Sequence, residues 1–205
     1  ADSGGGTVSL KGPATTTGNA ALPFVLPVAD GSAGQYLKTD GSKNLSFASV
    51  TDTVGVSEAD QWRITSDATG GADPITSNWE RNDNNFDKVG TGMSESSGIF
   101  TFPSTGIWLV DARCNGRING DVSLIMCAIK YTSNNSSYNN IVAGYGSINN
   151  DSGNYYGGAN CSVMLDISDT TNRKVSISMS GSSFIVEGNS GMQVSGVTFL
   201  KLGDT

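Results

Sequence analysis

The chain has 205 residues, a formal net charge of −7 and 15% charged residues, and 27 of its residues are glycine. A nucleic-acid groove needs several cations that displace counterions, and an anionic membrane attracts basic surfaces. This acidic chain has no Lys/Arg cluster and fits neither partner. Histidine is absent, which removes the commonest metal ligand and the usual general base. We therefore expect no cofactor, no metal site, no nucleic-acid partner and no membrane insertion.

The N-terminal sequence carries no leader-like segment, and no apolar run reaches the ~18 residues of a membrane helix. The chain begins Ala1-Asp2-Ser3, as a protein does after an initiator Met is removed before a small residue. We expect a near-complete gene product that reaches the exterior without a cleavable leader, as a viral particle does after lysis. The Asn-, Ser- and Gly-rich composition is typical of secreted or virion-surface proteins.

Residues 1–55 are interpreted as an extended attachment or shaft segment. The turn Asp30-Gly31-Ser32 recurs ten residues later as Asp40-Gly41-Ser42, and short strands are predicted at 35–39 and 44–48. Strands this short cannot bury their apolar faces alone, so the segment needs either the remaining domain or identical chains as partners. Residues 56–61 are assigned to a linker and residues 62–205 to a globular head.

The head is predicted to be all-β, with about ten strands and no helix. Val175, Ile177 and Met179 alternate with serines, which indicates a strand with one dry and one hydroxyl-rich face. The run Val122–Ile129 is apolar on both faces and predicts a central strand, and Asn119-Gly120 before it predicts a two-residue hairpin. The predicted strands cover 62–65, 78–81, 98–102, 106–113, 122–132, 141–147, 161–167, 174–179, 183–186 and 193–202.

Cys114, Cys127 and Cys161 form an odd set without a C-x-x-C spacing. The first two are placed on the strands that flank the predicted hairpin. Their apolar neighbours favour buried free thiols over a disulfide, since cysteine packs as a small hydrophobe.

The stretch Ser97–Val110 predicts a strand, a Pro-Ser-Thr-Gly corner and a second, buried strand. A Phe86-Asp87 pair precedes it, and Val194–Leu202 near the end of the chain contains a Ser-Gly-apolar-x-apolar step. In this order, the features of residues 62–202 resemble the complement/tumour-necrosis-factor family. The resemblance implies a jelly-roll β-sandwich head that assembles as a homotrimer, with the corner in its core.

The segment Gly34–Phe47 is similar to the Gly-Gln-x-Leu-x-x-Asp-Gly-x-x-Asn-Leu-x-aromatic unit of phage tail-fibre and virion structural proteins. Together with a complement-like head, this similarity implies a bacteriophage tail fibre or capsid fibre at the virion surface. Its N-terminal segment would join other virion proteins. The collagen-like stalk of animal members of the complement family is missing, which argues against an immune or signalling role.

Two polar loops are the candidate receptor-contact sites. One contains Tyr138 and Asn139, and the other contains Asn150, Asp151, Tyr155 and Tyr156. Tyrosine among Asn, Ser and Gly is typical of adaptable binding surfaces and of sugar stacking, so a host-surface glycan or protein is the expected partner. The alternative is that both loops are plain connections whose tyrosines pack against the sheet.

No catalytic motif is found in the sequence, and we expect a non-enzymatic protein. Asp83–Asp87 begins like a calcium loop, but Lys88 stands where that loop needs Gly and Ser94 where it needs Glu, so a solvated turn is expected. The sequence favours a virion structural protein, a homotrimeric fibre or spike that adsorbs to the host surface. Two alternatives stay open: a secreted carbohydrate-binding or signalling module of the same fold, and a fibre-borne polysaccharide depolymerase.

Overall fold

The computed structural model describes residues 23–49, 55–69, 72–118, 122–148, 155–181 and 184–205. These residues form strands and turns without a helix, so the described part of the chain holds no helix that could cross a membrane. The chain divides into two compact units, Ala1–Asp52 and Thr53–Thr205.

The N-terminal unit contains an antiparallel hairpin of β1 (Gln35–Thr39) and β2 (Leu45–Ser49), in which Leu37 pairs with Phe47. The Asp40 side chain organises the turn, because its carboxylate accepts hydrogen bonds from the Ser42 amide at 2.7 Å and from the Asn44 side chain at 2.7 Å. Gly41 adopts φ 79°, a conformation that glycine reaches without strain. The predicted Asp-Gly turn is therefore confirmed.

The larger unit contains thirteen strands among its described residues, arranged in two sheets. The strands are β3 (Ala59–Ile64), β4 (Ala68–Thr69), β5 (Trp79–Arg81), β6 (Lys88–Val89), β7 (Ser94–Ser96), β8 (Ile99–Thr101), β9 (Gly106–Ile118), β10 (Val122–Thr132), β11 (Asn139–Ile148), β12 (Tyr155–Ile167), β13 (Lys174–Ser180), β14 (Ile185–Val186) and β15 (Gly196–Gly203). The five-stranded sheet has the order β11-β10-β13-β8-β7, and the eight-stranded sheet has the order β4-β14-β9-β15-β3-β5, with β12 paired to β9 and β6 to β3.

The predicted corner joins the two sheets, since β8 belongs to the five-stranded sheet and β9 to the eight-stranded one. Phe100 is completely buried, and its ring centroid lies 5.6 Å from that of Trp62, 5.0 Å from Trp79 and 5.2 Å from Phe199. The contacts with Trp62 and Trp79 are edge-to-face, and aromatic contacts of this kind add to the free energy of area burial. The strands that flank the corner are therefore part of the core, whereas Pro103 and Ser104 in the corner are half-buried and Thr105 is exposed.

A glycine-mediated contact brings the two sheets together along β11 and β12. A Cβ atom on Gly144 would lie 1.8 Å from the carbonyl oxygen of Asn160, and one on Gly146 would lie 2.4 Å from that of Gly158. Larger residues at these two β11 positions would push β12 away, so glycine sets the spacing of this edge.

A buried carboxylate fixes β3 to its neighbours. Asp60 is inaccessible to solvent and accepts hydrogen bonds from the Trp62 indole at 3.0 Å, the Met93 amide at 2.6 Å and the Arg81 guanidinium at 2.9 Å. A buried charge is tolerated where its oxygens are paired in this way. Residues 59–61 of the predicted linker therefore lie in β3, which begins three residues earlier than predicted.

The hairpin predicted at Asn119-Gly120 is wrong. The strands before and after this dipeptide, β9 and β10, lie in different sheets and share no hydrogen-bonded register. The dipeptide itself lies outside the described residues. The prediction of a central strand is confirmed, because β10 lies between β11 and β13, although Leu124 within it is 52% exposed.

The hydroxyl-rich face predicted for β13 is buried. Ser176 and Ser178 are each 1% exposed. Ser178 Oγ donates to the Asp73 carboxylate at 2.6 Å, and the same carboxylate binds Lys130 Nζ at 2.5 Å. The segment that carries Asp73 also hydrogen-bonds to β13 beyond the end of β8, through the Ile75 amide and the Ile177 carbonyl. Alternation in the sequence shows which residues share a face, and it cannot show whether a loop covers that face.

The three cysteines are free and buried, as predicted. Cys127 lies beside Cys114 and Cys161 in the core. The contact with Cys114 and burial raise the pKa of Cys127, and the contact with Cys127 and burial raise that of Cys161.

We predict that a soluble disulfide reagent such as dithionitrobenzoate leaves all three thiols of the native protein unlabelled at mildly alkaline pH, because all three are buried. The raised pKa of Cys127 and of Cys161 further disfavours the reactive thiolate at those two positions. In denaturing guanidinium chloride the same reagent is expected to titrate three thiols per chain. Rapid labelling of one thiol in the native protein would contradict this prediction. Circular dichroism before and after the reaction serves as the control for unfolding.

Candidate functional site

The structure separates the two predicted contact loops. Tyr138 lies just before β11, which begins at Asn139, whereas Tyr155 and Tyr156 begin β12 after the other end of β11. A ten-residue strand spans roughly 30 Å, so the two groups do not form one surface. Asn150 and Asp151 lie outside the described residues.

Tyr138 packs within its own loop. Its hydroxyl donates to Asn135 Oδ1 at 3.4 Å, and burial raises the pKa of its phenol. The Asn135 amide in turn donates to the Asn172 carbonyl at 3.0 Å, which ties this loop to the next turn. Asn139 is exposed and pairs with Tyr131 in the β10–β11 register. The geometry of Tyr138 agrees with the alternative in which such tyrosines are structural.

The adjacent tyrosines of β12 point in opposite directions. Tyr155 is partly buried and packs against the core, whereas the Tyr156 side chain is 67% exposed. This follows from the period-two alternation of a strand. Tyr156 pairs with Arg117 of β9 and therefore shares the outer face of the eight-stranded sheet with it.

Tyr156 lines a cavity of about 290 Å³ on this outer face, which we call the Tyr156 pocket. Its other lining residues are Asn115, Gly116, Gly157, Gly158 and Glu187. They come from β9, β12 and the residue after β14. The long β9–β12 register sets Gly158 opposite Asn115 and Gly157 opposite Gly116, and the Glu187 amide donates to the Asn115 carbonyl at 2.9 Å.

Sequence reasoning identified Tyr156 as a candidate and missed Asn115 and Glu187. These two residues lie in segments far from Tyr156 along the chain, and their spacing matches no motif. Gly157 and Gly158, which follow Tyr156 in the sequence, lie with it in β12 and not in a loop.

An ion pair borders the Tyr156 pocket. Arg117 Nη2 lies 2.5 Å from Asp67 Oδ2, and the Gly188 amide donates to Asp67 Oδ1 at 3.0 Å. The hydrogen bond from Arg117 and that from Gly188 hold the pKa of Asp67 below its usual value. The contact links the long strand β9 to the chain beside Glu187 and fixes the border of the pocket.

The segment predicted as a solvated turn, Asp83–Asp87, is tied to the head. Asp83 Oδ1 lies 2.6 Å from Nη2 of the buried Arg63, and Asn84 Nδ2 donates to the Gly191 carbonyl at 3.0 Å. The Asp83 carboxylate is thus engaged by a cation. The described residues contain no group of three or more acidic or cysteine side chains suited to a metal ion.

No protein-family model matches the sequence, and no curated protein matches it. Solved structures do match in fold. The structure of Eiger TNF from S. frugiperda superposes with a TM-score of 0.55 at 11% identity, over 72% of this chain and 93% of that one. A crystal structure of murine APRIL gives a TM-score of 0.51 at 11% identity, over 71% and 98%. The chain therefore has an all-β, TNF-like jelly-roll fold, as the corner and the closing strand predicted.

We predict that acid weakens the border of the pocket through Asp67. Because the pKa of Asp67 is lowered on folding, its contribution to stability is present above the unfolded value of 3.8 and is lost as the pH falls through the folded value. Asp67→Asn is expected to lower the Tm by about 1–3 °C near neutral pH, as for a partly exposed ion pair. The difference from wild type should vanish between about pH 4 and pH 2.

Thermal unfolding followed by circular dichroism across this pH range measures the effect. Asp87→Asn, which changes an exposed carboxylate elsewhere in the head, is the matched control. A difference between wild type and Asp67→Asn that persists unchanged at pH 2 would contradict the assignment.

Proposed function

We propose that this protein is a non-enzymatic structural protein of a bacteriophage virion. In this proposal it is a homotrimeric fibre or a capsid or tail spike. The N-terminal segment attaches it to other virion proteins, and the jelly-roll head projects from the particle surface towards the host.

The observation that carries the proposal is the β1–β2 hairpin, which is formed by the segment Gly34–Phe47 that resembles phage fibre proteins. The residues of the repeated pattern each contribute to this hairpin: Gly34 takes φ 84°, Asp40 and Asn44 close the turn, and Leu37 pairs with Phe47. The product is a small sheet with one apolar face. An isolated two-stranded hairpin is marginal in water, so this face needs a packing partner, and in this proposal the partner is another chain.

Exposed apolar side chains beside the hairpin support the same interpretation. A groove of about 450 Å³ in this unit is lined mainly by apolar residues, and exposed hydrophobic residues are concentrated in this short unit. They are Phe24, Val25, Leu26, Val28, Tyr36, Leu37 and Phe47. A contiguous apolar surface of this kind is typical of an interaction site.

A row of apolar side chains across the head supports self-association. Met164 of β12, Leu109 of β9, Leu200 of β15 and Ala59 of β3 are successive partners in the strand registers. They share the outer face of the eight-stranded sheet, and Met164 is 67% exposed. We call these four residues the apolar row. Ala59 is already buried, and three-fold closure would bury the exposed Met164 and the half-buried Leu109 and Leu200 between protomers.

A secreted carbohydrate-binding or signalling module is the second candidate, and the likeness to Eiger TNF and APRIL favours it. A depolymerase has less support. A glycosidase needs two facing carboxylates, and Glu187 is the one carboxylate among the described residues that line the Tyr156 pocket. Localisation separates the first two candidates. Gold-labelled antibody should decorate purified virions if the protein is a fibre, and should detect it free in the medium if it is a secreted module.

We predict that the intact protein sediments at three times its chain mass of 21.2 kDa. Met164→Glu places a charge in the apolar row, and since an unpaired charge is costly to bury, this variant is expected to sediment as one chain at micromolar concentration. Leu124→Glu, also exposed but on the outer face of the five-stranded sheet, should remain trimeric. A wild-type mass of one chain would exclude the trimer.

We also predict that Leu37 is required for assembly into particles. Leu37→Lys puts a charge on the apolar face of the hairpin, whereas Tyr36→Lys alters the opposite face of the same strand at the same exposure of 47%. Particles assembled with each variant are banded by density and probed by immunoblot. The expected result is incorporation of Tyr36→Lys and loss of Leu37→Lys, and equal incorporation of the two would contradict an attachment role for this face.

A further inference from the structure

We propose that the Tyr156 pocket binds one neutral hexopyranose residue of a host-surface polysaccharide. The inference rests on the proposed adsorption function, which it deepens by naming the ligand chemistry and the site. Four features of the pocket carry it: an aromatic wall, a floor without side chains, two oriented acceptor groups and a limited volume.

The aromatic wall is the Tyr156 ring. It is the most exposed of the predicted candidate tyrosines in the described residues, and it lines a concave site. A tyrosine ring combines an apolar face with a polar edge. The C–H face of a pyranose is apolar and its rim is polar, so the two surfaces are complementary.

The floor of the pocket is backbone. Gly158 faces outward opposite Asn115, and a Cβ atom on it would lie 2.1 Å from Asn115 Oδ1. A side chain at this position would fill the floor beside that amide. Gly158 therefore keeps the floor low, so a flat ring can approach the sheet closely.

The polar groups of the pocket are hydrogen-bond acceptors. Asn115 Nδ2 donates to the Val194 carbonyl at 2.9 Å, which fixes the amide and directs Oδ1 towards Gly158. Among the described residues, no donor reaches this oxygen or the Glu187 carboxylate. Sugar hydroxyls are donors and satisfy both. The bordering cation Arg117 is already paired with Asp67, so an acidic sugar would be repelled by Glu187 and by the net charge of −7.

The volume and the place of the pocket fit one sugar ring per protomer. About 290 Å³ is at the lower end of the ~300–1,000 Å³ range of small-molecule sites. Tyr156 lies eight residues from Met164 along β12, roughly 26 Å away. The pocket therefore stays accessible when the apolar row is covered. A single ring bound this way has an affinity in the millimolar range, which a multivalent particle raises.

Saturation-transfer NMR of the full-length protein tests the inference, with the methyl α-glycosides of glucose, galactose and mannose as probes and N-acetylneuraminic acid as the acidic comparison. At least one neutral glycoside is expected to bind, with no transfer to the acidic sugar. Tyr156→Ala should weaken binding by about tenfold or more. Glu187→Gln should weaken it by about fivefold. Tyr145→Ala, with the same exposed fraction of 67% on the other sheet, should bind as wild type.

The absence of transfer to every neutral glycoside overturns the inference, and so does binding that Tyr156→Ala leaves unchanged. Preferential binding of the acidic sugar also overturns it. These failures are distinct from failure of the proposed function. If the protein decorates virions as a trimer but binds no glycoside, the sugar site is excluded and the proposed virion role stands. If the protein binds a glycoside but is found free of particles, the sugar site stands and the virion role is excluded.

Discussion

β9 sends every second side chain into the core, and its neighbours take their register from it. Trp108, Val110, Ala112 and Cys114 are buried between the sheets, while the residues between them reach the outer face. β12 pairs with β9 over its full length, and β15 pairs with its first half. A one-residue slip would exchange the two sets and bury charged side chains. Because the core excludes that slip, the apolar row and the Tyr156 pocket are fixed on one face.

The five-stranded sheet is joined to β9 by the corner that follows β8. The position of β8 itself depends on the turn that precedes it. The turn before β8 uses Ser97 at φ 53° and Gly98 at φ 81°, and a Cβ on Gly98 would lie 2.1 Å from the Ile75 carbonyl oxygen. Two consecutive positive φ angles give the twist that a tight hairpin needs. The turn places Phe100 against Trp62 and Phe199 of the opposite sheet. One local conformation thus sets a contact across the whole sandwich.

Local patterns were sufficient for the all-β class, most of the longer strands and the corner. They missed the short strands β4, β6 and β7 and the first half of β12. They also failed where the outcome depended on distant chain segments. Asn119-Gly120 has the composition of a hairpin turn, yet β9 pairs with β12 and β15 and not with β10, which lies in the other sheet. Ser176 and Ser178 alternate with apolar residues as on a solvated face, yet the Asp73 segment covers them. For the same reason Tyr156 was accessible to sequence reasoning, whereas its companions Asn115 and Glu187 were not. Tyr156 and Asn115 are brought together by the β9–β12 register, and no sequence motif links these residues.

The position of the two outer-face features on β12 bears on how adsorption would work. A pocket for one sugar ring gives weak binding, and a protein with one such pocket would dissociate quickly. In the proposed trimer, self-association through Met164 at one end of the strand would leave Tyr156 at the other end accessible, so each protomer would add a binding site instead of covering one. Three weak sites on one head, and many heads on one particle, would multiply affinity through effective concentration without any new contact. Specificity for a repetitive polysaccharide would then depend on the spacing of the sites, which the β9–β12 pairing holds constant.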